Sequence, residues 1–292
     1  MTAQYTKPKI GFIGIGVMGW SMASHLMEDG YGLSVYNRTR TKAGDLLARG
    51  ALWCETPGEA ASRADIVITM VGYPRDVEEV YFGAEGILAG CRRGSLLVDM
   101  TTSSPELAER IYEEAEARGC AALDAPVSGG DIGAREAKLS IMVGGDRAAF
   151  ERMLPVFQVM GKNIVHQGRA GSGQHCKMAN QIAIASTMMG VCESIRYAEK
   201  AGLDPQTVLR SIESGAAGSW SLSNLAPRMI NDDFEPGFYV EHFIKDMNIA
   251  LESAEKLGLE ARGLALARAL YEKLASEGGE DRGTQALYTL YQ

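Results

Sequence analysis

The stretch "GSGQHCKMANQIAIAS", residues 171–186, sets Lys177 among Cys176, Met178, Ala179, Ile182, Ala183, Ile184 and Ala185. An ammonium in a helix that apolar is costly unless something pairs with it or uses it. The nearest downstream acid, Glu193, lies beyond the i,i+4 spacing that would neutralise it within the helix. Apolar surroundings disfavour the charged form of a lysine and move its pKa toward neutral pH, which suits it to give and take a proton. The bland alternative is an interface lysine paired with a distant acid.

A second stretch, "GFIGIGVMGWSMASHL", places Gly14, Gly16 and Gly19 in a GxGxxG at the end of one predicted strand and the start of a helix. The first glycine permits a tight turn, the second lets a pyrophosphate approach the backbone, and the third lets helix and strand pack closely. Val17 and Met18 then open the helix whose N-terminus faces the phosphates. This reads as a dinucleotide loop; alone, the motif also fits a glycine-rich packing turn.

Where an NAD-binding chain often ends its second strand with a carboxylate for the ribose 2′-hydroxyl, this one has Asn37-Arg38-Thr39, followed by Arg40 and Lys42. The missing acid and the cations suit the 2′-phosphate of NADP, with NAD as the alternative cofactor and a solvated basic turn as the bland reading. In "DAPVSGG", residues 124–130, Ser128, Gly129 and Gly130 could offer a hydroxyl and successive N–H groups to a carboxylate, or form a plain glycine turn. His175 and Cys176 are adjacent, which is poor metal-ligand spacing, and no metal is expected. His242 reads as a structural or rim residue, and Trp220 fits a core role as well as a pocket wall.

Up to about residue 165, short β-rich runs alternate with helical segments. Strands are predicted at 9–15, 33–36, 65–70, 95–100, 121–126, 139–145 and 163–168. Thr56-Pro57 and Ser104-Pro105 are helix starts. This rhythm predicts an α/β architecture: an N-terminal, doubly wound Rossmann-type parallel sheet over residues 1–168, binding the nucleotide. After Gly168 the β signal stops. A long helix from Gly173 to about Ala201 joins it to an all-helical C-terminal domain, 169–292, with helices near 221–230, 242–257 and 262–277.

The 292 residues carry a net charge of -8, which argues against a general nucleic-acid binder. No apolar run approaches the ~18 residues of a membrane span, and "MTAQYTKPK" lacks the core of a signal peptide. Five scattered cysteines fit reduced thiols, so a cytoplasmic protein with no membrane partner is expected.

Taken together, "GFIGIGVMG", "VDMTTSSP" (98–105), "DAPVSGG", "GSGQHCKMANQ" and "FIKD" (243–246) resemble the β-hydroxyacid dehydrogenase family in order and approximate spacing, over nearly the whole chain. That family includes 3-hydroxyisobutyrate dehydrogenase and the small semialdehyde reductases. The resemblance implies hydride transfer between NADP(H) and a small 3-hydroxy acid or its semialdehyde, with Lys177 as general acid and base. It places the loop glycines, Val71, Thr102, Lys245 and Asp246 at the cofactor. Ser128 to Gly130, Asn180 and Gln181 fall at a carboxylate-bearing substrate, and a homodimer or homotetramer is implied. The family usually has asparagine three and four residues after the lysine; here Gln181 follows Asn180, which reshapes the substrate pocket. His25 also stands where the family more often has asparagine. The alternatives are a non-catalytic nucleotide-sensing or scaffold protein of this fold, and an imine reductase, although imine reductases typically lack the lysine. A phosphogluconate dehydrogenase fits less well, because Asn180 stands where that enzyme has histidine.

Overall fold

The computed structural model describes residues 7–291. The chain packs as two compact units, Met1–Lys177 and Met178–Gln292.

The first unit is built on nine strands: β1 (Ile10–Ile13), β2 (Leu33–Tyr36), β3 (Leu52–Trp53), β4 (Ile66–Thr69), β5 (Leu96–Asp99), β6 (Ala121–Asp124), β7 (Val127–Ser128), β8 (Leu139–Gly145) and β9 (Gly161–Gly168). Their order is β3-β2-β1-β4-β5-β6-β8-β7, with β9 also paired to β8. From β3 to β6 every pairing is parallel. The order turns outward in both directions from β1, so a switch point lies at the carboxyl ends of β1 and β4, where open α/β sheets bind ligands.

The central strands β1, β4 and β5 are buried on both faces, and their side chains sort with a period of two. Ile10 and Phe12, Ile66 and Ile68, and Leu96 and Val98 enter one core. Ile13, Val67 and Leu97 enter the other. The expected helix starts are present. The Thr56 hydroxyl accepts from the Glu59 N–H, the Ser104 hydroxyl accepts from the Leu107 N–H, and a proline follows each cap.

The sheet is parallel only through its first six strands. β8 runs antiparallel to both β6 and β7, while β9 runs parallel to β8. The link from Gly129 to Lys138 holds just one short helix, Gly130–Arg135. A parallel crossover needs a dozen residues or more, so a link this short returns the chain in reverse. As a result β7 pairs with the part of β8 that overhangs the carboxyl edge of β6.

The second unit is helical. It contains most of the helix Ser172–Lys200, then Pro205–Ile212, Trp220–Ile230, Val240–Lys256 and Arg262–Leu274. The Asp204 carboxylate caps the second of these by accepting from the Gln206 and Thr207 N–H groups. Met188, Cys192, Ile195, Leu222, Met229, Phe243, Met247 and Tyr271 share its core. The last helix ends three residues earlier than its periodicity predicts. It loosens into a wide turn over Ala275–Gly279, where Gly278 adopts a φ of 84°. No helix among the described residues is long and apolar enough to cross a membrane.

Candidate active site

In the first unit, the candidate residues follow the carboxyl ends of β1, β2, β4, β5 and β6. Gly14 has a φ of 97°, and a Cβ there would lie 2.1 Å from the Met70 carbonyl oxygen. At Gly19 a Cβ would lie 1.9 Å from the Gly14 carbonyl oxygen. Both glycines serve the packing of the loop. Gly16 differs: nothing lies within 4 Å of the place its Cβ would take. It is the N-cap of the helix Val17–Glu28, with no side-chain cap and no acid in the first turn. Such a terminus, with open backbone ahead of it and no competing carboxylate, fits a pyrophosphate.

Asn37 braces this loop. Its Oδ1 accepts from the Ile15 N–H at 2.9 Å and its Nδ2 donates to the Thr39 carbonyl at 2.8 Å. Arg38 is exposed, its guanidinium 3.9 Å from Asp76. Arg40 lies over the Trp53 ring at 5.2 Å. The Val71 N–H donates to the Thr101 hydroxyl at 3.0 Å, which ties the ends of β4 and β5 together beside Thr102. His25 bonds, through Nε2, the Ala134 and Arg135 carbonyls at 3.0 Å. That contact joins the first helix to the Gly130–Arg135 helix beside the glycine pair.

Lys177 is 6% exposed. Its Nζ donates to the Val127 carbonyl at 2.9 Å, so a main-chain oxygen receives one of its protons. The reason lies in β7. Pro126 gives its carbonyl to the Met142 N–H of β8. Successive carbonyls of an extended chain point to opposite sides, so the Val127 carbonyl turns away from β8. Ser128 follows it, then Gly129 at φ 127° and Gly130 at φ 60°, which begin the short helix.

Two residues that composition and spacing did not single out position the lysine helix. Asp124, at the end of β6, accepts the Gly171 and Gln174 N–H groups, each at 2.8 Å. Burial pushes its carboxyl above the ordinary Asp range, a rise that the backbone N–H donors offset only in part. Gln174 is fully buried. Its Oε1 accepts from the Ser103 N–H at 2.9 Å and its Nε2 donates to the Thr101 carbonyl at 2.8 Å. The helix is therefore clamped both to the DAPVSGG strand and to the loop carrying Thr102. A polar side chain in the first turn of an otherwise apolar helix was the available signal for Gln174. Replacing Gln174 with Leu orphans a buried N–H and a buried carbonyl and is expected to cost roughly 2–4 kcal/mol. The urea midpoint reads this directly; an unchanged midpoint would mean that the clamp does not stabilise the unit.

In the second unit, Asn180, Gln181, Lys245 and Asp246 form one chain of contacts. Asn180 Nδ2 donates to Gln181 Oε1 at 2.8 Å, and Gln181 Nε2 donates to Asp246 Oδ2 at 2.6 Å. The Lys245 ammonium pairs with Asp246 Oδ1 at 3.0 Å. Trp220 is largely exposed, not part of the helical core. Burial lowers the His242 pKa below its ordinary value. Among the described residues no group of three or more His, Cys, Asp or Glu side chains could hold a metal ion.

Comparison with known proteins bears on the family and the fold. Residues 9–168 match the family model of the NAD-binding domain of 6-phosphogluconate dehydrogenase. Residues 171–291 match that of the NAD-binding domain of NADP-dependent 3-hydroxyisobutyrate dehydrogenase. The chain is 60% identical to the uncharacterized oxidoreductase YkwC of Bacillus subtilis, over 98% of this chain and 99% of that one. It is 50% identical to the probable 3-hydroxyisobutyrate dehydrogenase-like 1 of Arabidopsis thaliana, over 96% and 84%. Mycobacterium tuberculosis 3-hydroxyisobutyrate dehydrogenase, solved with L-serine, superposes with a TM-score of 0.91 at 31% identity, over 98% and 100%. An imine reductase from Myxococcus stipitatus, solved with NADP+, shares the fold alone, at a TM-score of 0.65 and 21% identity, over 98% of this chain and 100% of that one. The two family models and the full-length relatives identify the chain as a member of the β-hydroxyacid dehydrogenase family, the 3-hydroxyisobutyrate dehydrogenase-like NAD(P)-dependent oxidoreductases.

Proposed function

We propose that the protein interconverts a small 3-hydroxy acid and its semialdehyde, prefers NADP(H), and uses Lys177 as its general acid and base. The observation that carries this reading is the buried Lys177, its Nζ 2.9 Å from the Val127 carbonyl and one residue of β7 away from Ser128. A bound nicotinamide exchanges the hydride. The protein orients the reacting carbon and moves the hydroxyl proton. In this assignment Lys177 Nζ gives a proton to the forming alkoxide in reduction and takes it from the hydroxyl in oxidation.

Residues 1–168 form the nucleotide-binding domain, and 169–292 the helical domain that adds substrate and assembly contacts. The Gly14–Gly19 loop with Val17 and Met18 holds the pyrophosphate. Arg38, with Asn37 and Thr39, faces the adenosine ribose; Val71, Thr102, Lys245 and Asp246 serve the nicotinamide side. Ser128, Gly129 and Gly130 receive the substrate carboxylate, with Asn180, backed by Gln181, on the remaining substrate groups. Assembly as a dimer or tetramer belongs to the same reading, with the exposed Leu257, Leu259 and Leu266 as candidate contacts.

The test is turnover of C3–C5 hydroxy acids and semialdehydes with both cofactors. Reduction of a free carboxylate about ten- to a hundredfold faster than of its methyl ester supports the anion site, the loss expected for a charge-assisted contact. No turnover with any of them would favour a nucleotide-sensing or scaffold role. In the same assay Arg38→Ala is expected to raise the KM for NADPH about ten- to a hundredfold and leave NADH little changed. Its exposed contact with Asp76 is weak enough for a phosphate to displace. Equal losses for both cofactors would mean that Arg38 supports the loop instead.

A further inference from the structure

Gln181, the residue that departs from the family pattern, is 2% exposed and has both ends of its amide engaged within the second unit. The direction of those bonds is dictated from Asp246. Paired with the Lys245 ammonium at 3.0 Å, Asp246 stands as a carboxylate, and a carboxylate can only accept. An inverted Gln181 amide would set oxygen against oxygen at 2.6 Å, so the amide must present Nε2 to Asp246. Its Oε1 is then committed toward Asn180. The same logic applies once more: Asn180 must present Nδ2 to that oxygen, at 2.8 Å. Two amides that could each be turned either way are thereby fixed by one buried charge.

The consequence falls on Asn180, which is partly exposed. With Nδ2 committed to Gln181, its Oδ1 is left as an acceptor. Asn180 stands three residues after Lys177, about one turn along the same helix and on the same side. An acceptor in that place matches a substrate donor. It repels a carboxylate or an aldehyde oxygen, neither of which has a proton to give.

We propose that Gln181 is a specificity-determining positioning residue: with Asp246 it locks Asn180 as an acceptor, and so selects substrates bearing a hydroxyl or ammonium on the carbon next to the reacting one. This rests on the dehydrogenase reading above and narrows its substrate class. The reacting oxygen is left to Lys177, and the carboxylate to Ser128–Gly130. Gln181 itself acts only through Asn180.

The experiment compares kcat/KM for oxidation of 2,3-dihydroxypropanoate and 3-hydroxy-2-methylpropanoate, which differ at that carbon by hydroxyl against methyl. The native enzyme should favour the dihydroxy acid by at least about tenfold, since a site built to bond a hydroxyl discriminates against the analogue lacking it. In Gln181→Met the relay is cut, Asn180 can turn its amide, and the ratio should fall to within about threefold of unity. The ratio is read within each protein, so a general loss of activity cancels. Asp246→Asn provides a second break, because an amide at 246 can donate or accept and no longer imposes a direction; it serves if the methionine variant does not fold. A native ratio near one, or a ratio that survives both substitutions, overturns the proposal while leaving the dehydrogenase reading intact. No oxidation of either compound, nor reduction of any aldehyde acid, with either cofactor overturns both.

Discussion

Lys177→Met is expected to lower kcat by roughly 10²–10⁴, the contribution of a positioned proton-transfer group. Methionine has a similar length and suits the buried site, so the change removes the proton and keeps the packing. The Val127 carbonyl loses a donor at 2.9 Å, which costs some stability but does not touch the glycine loop. Cofactor affinity, read by quenching or enhancement of bound NADPH fluorescence, should therefore stay within about twofold of native. Near-native turnover by the Met variant would remove Lys177 from the chemistry. Loss of cofactor binding together with turnover would mean that the substitution disturbed the sheet edge as a whole.

The second large effect separates two glycines that look alike in the motif. Gly19→Ala puts a Cβ 1.9 Å from the Gly14 carbonyl oxygen. Backbone must move, and the expected cost is roughly 1–3 kcal/mol of stability, as for an overpacked core. Gly16→Ala meets nothing within 4 Å, and Gly16 has a φ of -86° that alanine adopts freely. Its thermal midpoint should match native. The methyl group instead occupies the space a pyrophosphate needs, so the KM for NADPH should rise about ten- to a hundredfold. Thermal melts and cofactor titration on the two variants give opposite patterns if the loop works this way. A destabilised Gly16→Ala with ordinary cofactor affinity would make the GxGxxG a packing turn after all.

The doubly wound half was legible because β1, β4 and β5 are buried on both faces, and their unbroken apolar runs between helix caps leave few alternatives. β3 and β7, at two residues each, are too short to show any period. The reversal at β8 was illegible for a different reason: hydrophobic pattern reports which faces are buried but is blind to strand direction. At the site, Lys177 stood out because a charge in an apolar helix is rare, whereas its carbonyl acceptor could not, since every residue carries one. Asp124 lay within a quoted motif, yet its work as a receiver of the Gly171 and Gln174 N–H groups depends on a contact across 47 and 50 positions. The bond between Gln181 and Asp246 spans 65 positions, and only folding reveals that the two meet.

The carbonyl of Val127 has a consequence for how this protein can change over generations. An acidic partner for Lys177 could be lost through a single codon. A main-chain oxygen is present whatever residue occupies position 127, so drift in the side chain there leaves the bond in place. What it depends on is phase: β7 and β8 must pair with Val127 opposite Ile141, so that alternate carbonyls face the lysine. A one-residue deletion between Asp131 and Lys138 tugs at that phase and can turn the wrong carbonyl inward. Vulnerability at this point therefore resides in the length of the connecting segment, and a lineage can rewrite its letters more safely than its count.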